Sequence, residues 1–90
     1  DFFVAYVDEE ARRDAVRLTM ELRSAGFSAN FGYKVAKLGK QLKQASDQNA
    51  RKCVIIGDEF KDNKLAVKDM ATGEQRLVDA DEFLSALKNG

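Results

Sequence analysis

Histidine is absent from these ninety residues. That removes the usual general base, the usual proton shuttle and the commonest metal ligand. Serine–histidine and cysteine–histidine nucleophiles, and most transition-metal chemistry, are therefore closed to the chain on its own. The single cysteine, Cys53, excludes an internal disulfide framework and a zinc constellation. No apolar run of membrane-spanning length, signal-peptide pattern or low-complexity tract occurs, so the expectation is a cytoplasmic domain with no membrane partner. Phosphate-cradling glycine motifs are missing too: "GYKVAKLGK" has glycines without the spacing of GxGxxG or GxxxxGK[ST].

What is present suits one small globular domain over residues 1–90, with 44% hydrophobic residues and a modest core. The sequence opens at Asp1 without an initiator methionine and runs at once into an apolar stretch, as expected of a domain cut from a longer chain. Net charge is zero but unevenly spread. Residues 1–30 hold six acids and four bases, residues 31–56 six bases against Asp47 alone, and residues 57–90 eight acids and five bases. The middle third is thus either an ordinary solvated helix face or the surface offered to an anionic partner.

"FFVAYV" (2–7) reads as a strand buried on both faces, ended by "DEE", with Asp8 placed to cap the following helix. In that helix Ala11, Ala15, Leu18, Leu22 and Ala25 form one apolar stripe, and Gly26 is its stop. "FSANF" (27–31) alternates as a short strand. Val35, Leu38, Leu42 and Ala45 then define the buried stripe of a second helix over "YKVAKLGKQLKQA" (33–45), with Gly39 in its middle. A mid-helix glycine costs about 1 kcal/mol relative to alanine, which suggests close approach of another element or of a ligand. "KCVIIG" (52–57) is a second apolar strand, with Cys53 a core residue. "KLAVKD" (64–69) and "EQRLVD" (74–79), joined by "MATG", read as a hairpin. A third helix ends the chain, with Asp79 and Glu82 as a capping box and Phe83, Leu84 and Leu87 facing inward. The expected fold is three-layer α/β/α, with a mixed five-stranded sheet in the order β-α-β-α-β-β-β-α.

The second helix carries the chemical signal. Lys34, Lys37, Lys40 and Lys43 recur every third residue with no acid among them. Ordinary surface helices mix signs to make i,i+4 pairs. Unopposed lysines suit phosphate contacts, which supply affinity without sequence specificity. Gln41 and Gln44 offer amides to base edges, and Tyr33 and Phe31 offer ring faces for stacking, although Phe31 is as readily core. Glu59, beyond the second apolar strand, is either a plain loop carboxylate or an acceptor for the amino groups of a splayed base; Lys68 is within reach of the same ligand. A phosphoacceptor receiver reading, with Asp8 and Asp58 at strand ends, fails on the short chain and the closing hairpin.

"AVRLTMELRSAGFSANF", "KLGKQLKQASDQNARKCVIIGDEF" and "LAVKDMATGEQRLV" together resemble, over the whole length, the C-terminal anticodon-binding domain of class IIa aminoacyl-tRNA synthetases, most closely the bacterial histidyl type. The T-G-E-Q turn is the sharpest element of that resemblance. It implies a mixed five-stranded fold that grips the anticodon stem-loop of tRNA, with Lys40, Lys43, Gln44, Glu59 and Lys68 at the contacting positions and Gly39 in packing. "GDEFKDNK" is one residue shorter than the family loop, leaving either Asp58 or Glu59 as the recognition acid. The resemblance implies no cofactor for this domain. ATP and Mg, histidine activation and a homodimeric assembly belong to a parent synthetase whose catalytic motifs are absent from these residues. A synthetase-derived regulatory or dimerisation module without anticodon specificity is the alternative expectation.

Overall fold

The opening apolar run has no polar side to turn to water, and it forms β1 (Phe2–Tyr6), whose five residues are all buried. Val7, expected inside the strand, lies beyond its end and is 45% exposed. Asp8 starts the next element: its carboxylate accepts the Ala11 N–H at 2.8 Å, capping α1 (Glu9–Ser24). Glu9 and Glu10 in the first turn and Arg23 in the last all complement the helix dipole. Gly26, at φ +96°, reverses the chain so that the Phe27 N–H reaches back to the Leu22 carbonyl at 3.0 Å.

The remaining elements are β2 (Ala29–Phe31), α2 (Leu38–Asp47), β3 (Lys52–Ile56), a 3₁₀ segment (Asp58–Asp62), β4 (Lys64–Asp69), β5 (Gln75–Asp79) and α3 (Ala80–Asn89). The computed structural model describes residues 2–32 and 37–89. The strands form one sheet in the order β2-β1-β3-β4-β5. β1 lies parallel to β2 and β3, while β4 runs antiparallel to β3 and β5.

Alternation along the strands divides the core in two. Phe2, Val4, Tyr6, Val54, Ile56 and Leu65 meet α1 and α3 on one face. Phe3, Ala5, Cys53 and Ile55 meet α2 on the other. The Phe2 ring links the first layer, edge to face with both Phe27 (5.6 Å) and Phe83 (6.1 Å). Three layers and a mixed sheet are as expected from the sequence.

The closing hairpin is built by its turn. Asp69 accepts the Ala71 and Thr72 N–H groups at 2.9 and 3.2 Å, and Gly73 takes φ +80°. Asp79 then accepts the Glu82 N–H at 3.1 Å, so one half of the expected capping box forms.

The second helix differs from its sequence reading. It begins at Leu38, not at the start of "YKVAKLGK", with Lys37 as an extended cap residue. Val35 and Lys34 lie outside the described residues. The side turned to the sheet is Leu38, Gln41, Leu42 and Ala45, with Gln41 1% exposed. Gly39 falls in the first turn, and a Cβ built there meets no atom within 4 Å. Neither the mid-helix placement nor the packing role expected of that glycine holds.

Candidate nucleic-acid interface

With Leu38, Gln41, Leu42 and Ala45 committed to the sheet, the rest of α2 faces outward. Lys37, Lys40 and Lys43 are exposed and Gln44 is half-buried beside them. The ion pairs among the described residues are Glu9–Arg12 and Lys64–Asp79, so none neutralises these lysines. Their placement is electrostatically unfavourable for an isolated helix. The first turn of α2 holds no acid and Lys37 makes no side-chain capping bond, so positive charge gathers at the positive end of the dipole. An anion held there relieves both conflicts at once.

The sheet beside α2 is only partly covered. Residues paired across antiparallel strands share a face. Lys68 pairs with Cys53 and Gln75, and Ala66 pairs with Ile55 and Leu77. Cys53 and Ile55 belong to the α2 layer. Ala66, Lys68, Gln75 and Leu77 therefore lie on the α2 side of the sheet. Leu77, on the outer strand, is 57% exposed, a large apolar side chain on an uncovered strip. Lys68 is half-buried there, and its charge partly offsets the burial that pushes the Cys53 thiol up to about 11. α2 and this strip together make a surface with outward lysines along one side and a shallow, mixed apolar and amide floor. That combination suits backbone phosphates and splayed bases.

Glu59 lies elsewhere. It is exposed in the 3₁₀ segment beyond the C-terminal end of β3, whereas Lys68 sits opposite Cys53 near the strand's beginning. The rise from Cys53 to Ile56 alone is about 10 Å at roughly 3.3 Å per residue. The two residues therefore lie well apart on the molecule. Gly57 makes room for Glu59: a Cβ at that glycine would lie 3.0 Å from Glu59 Oε2. Asp58 turns to the other layer, where it lines a depression of about 310 Å³ with Asp8, Glu10, Asp14 and Lys61. The receiver reading finds no support there, because Asp8 caps α1 and no group of described residues is arranged to hold a metal. Tyr33 lies outside the described residues. Phe31 packs against the α1–α3 core and away from α2, so it is not a stacking platform on the lysine side.

Two features of the candidate surface escaped the sequence. Gln41, read as a base contact, is buried: its Nε2 donates to the Tyr6 carbonyl at 2.7 Å and its Oε1 accepts the Tyr6 N–H at 3.0 Å. Leu77 was one apolar residue in a hairpin strand, and only strand order shows that no helix covers it. For Gln41 a signal did exist, since position 41 falls on the same arc as Leu38, Leu42 and Ala45.

Residues 1–90 match the family described as "Anticodon binding domain". The chain is 40% identical over 85 residues, 92% of its length, to a histidine–tRNA ligase of Maridesulfovibrio salexigens, and 40% identical over 89 residues, 98% of its length, to that of Staphylococcus saprophyticus. It spans 21% of each of those curated relatives. The crystal structure of apo S. aureus histidyl-tRNA synthetase superposes with a TM-score of 0.89 at 36% identity, covering 98% of this chain and 23% of that one.

Proposed function

The chain belongs to the anticodon-binding domain family, and from that premise we propose that it is the part of a histidine–tRNA ligase that grips the anticodon stem-loop of histidine tRNA. The observation that carries the reading is the unneutralised lysine arc of α2 beside the uncovered side of β4 and β5. Lys37, Lys40 and Lys43 hold phosphates. Gln44 and Lys68 approach bases on the strip, and Glu59 accepts from base amino groups at the far end. Glu59 is favoured over Asp58 because Asp58 lines the α1-side depression. Tyr33 remains a proposed stacking residue. In the full ligase this domain positions tRNA, while histidine activation with ATP and Mg takes place on a separate catalytic domain of a cytoplasmic homodimer. Among the described residues no helix is long and apolar enough to cross a membrane.

Binding to labelled anticodon stem-loops tests the reading. The histidine stem-loop is expected to bind weakly but measurably, and better than unrelated anticodons. The double variant Lys40→Ala/Lys43→Ala should lose about tenfold or more in affinity. Equal affinity for all anticodons, or no effect of the double variant, overturns it.

A further inference from the structure

β2 is too short to serve β1 along its length. It pairs Ala29, Asn30 and Phe31 with Phe2, Phe3 and Val4, and ends there. In a parallel sheet, alternate residues aim both main-chain groups at the same neighbour. Phe2 aims its N–H at the β2 side, bonding the Ser28 carbonyl at 2.9 Å. Two and four residues on, Val4 and Tyr6 face the same way, and among the described residues the pairing with β2 ends at Val4. A buried N–H and C=O left without partners would cost about 1–3 kcal/mol each.

Gln41 bonds the Tyr6 main chain. Its carboxamide presents one acceptor and one donor to Tyr6, at 3.0 and 2.7 Å, as a residue of a neighbouring strand does. The Tyr6 hydroxyl in turn donates to the Gly32 carbonyl at 2.6 Å. Gly32 fits closely under this arrangement, since a Cβ there would lie 3.4 Å from Gln41 Oε1. One residue of β1 thus holds both flanks of the basic stretch: the end of β2 through its ring, and the second turn of α2 through its main chain.

We propose that Gln41 is the positioning residue of the RNA-binding surface, fixing the rotation and height of α2 on the sheet and so the directions of Lys37, Lys40 and Lys43. The apolar seat of the helix cannot do this alone. Leu38 and Leu42 are only half-buried, the fully buried apolar residue is the small Ala45, and a Cβ at Gly39 would meet no atom within 4 Å, so the apolar seat of α2 is small. Two short directional bonds to a fixed strand define one setting. The functional consequence rests on the RNA-binding reading; the anchoring itself does not.

The test compares Gln41→Leu, which keeps the volume and removes both bonds, with Leu87→Ala in α3 as a control for general destabilisation far from α2. Amide exchange and chemical shifts are read on the ninety-residue chain, alongside affinity for the histidine anticodon stem-loop across a salt series. Gln41→Leu is expected to accelerate exchange at the Tyr6 amide at least tenfold, to shift the Lys40–Gln44 amides, and to weaken RNA binding at least tenfold with a shallower salt slope. Leu87→Ala, at equal or greater loss of Tm, should keep the affinity within about twofold and the slope unchanged. Should Gln41→Leu be unfolded, Gln41→Glu supplies the same readouts with the acceptor kept and the donor lost. A folded position-41 variant with unmoved α2 amides and wild-type binding overturns the proposal. If the parent chain binds no RNA while the variant still releases α2, the anchor stands and the RNA-binding reading falls.

Discussion

Burial is the main reason the Cys53 thiol is pushed up from 9.0 to about 11; the charge of Lys68 and a backbone hydrogen bond at Ala5 work in the opposite sense. A thiol that stays neutral to such pH is a poor nucleophile. Native chain at pH 8 should therefore resist alkylation by iodoacetamide, and addition of denaturant should release one reactive thiol per chain, counted by mass spectrometry. The same shift has a thermodynamic sign. The folded state keeps the proton more tightly than the unfolded state, so this contribution is intact below about pH 9. It is then lost at roughly 1.4 kcal/mol per pH unit until the folded thiol ionises near 11. Chemical denaturation at pH 8 and 10 should show that decline, and Cys53→Ala should flatten it. Cys53 was legible as core from its apolar strand, but its neighbour Lys68 was not, because strand pairing supplies that contact.

Individual elements sort into those that carry their own instructions and those that do not. α1 does: cap, stripe and stop are all local, and it forms where the periodicity puts it. The hairpin does as well, through Asp69 and Gly73. Gly73→Ala meets open space but forces a left-handed alanine, and should cost about 1–2 kcal/mol in urea unfolding. Gly39 makes the opposite case. It has ordinary φ and an empty surround, so Gly39→Ala should stabilise the chain by about 0.4–1 kcal/mol and leave RNA affinity unchanged. Loss of stability or binding there would restore the packing role that the sequence suggested. α2 was the least legible element, because its periodicity fits a helix over 33–45 equally well, and its seat depends on a glutamine bonded to a strand 35 residues away.

At the scale of the whole molecule, a net charge of zero means that RNA is not drawn by the global field. Attraction must come from the middle third, so binding should weaken steeply with salt, and each lysine truncated among Lys37, Lys40 and Lys43 should lower the log–log slope by about 0.7. Equilibrium titrations from low to moderate salt measure this; a slope unchanged in the triple alanine variant would move the interface away from α2. Sequence by itself determined the element types, the two-sided strands, the layer count and the basic third, because these follow from hydrophobic period, turn chemistry and local charge. Tertiary structure alone decided that α1 and α3 share a face and that β4 and β5 are left bare beside α2. It also separated Glu59 from Lys68 and made Gln41 a strand partner. All of these depend on strand order and register, which join residues far apart in the chain.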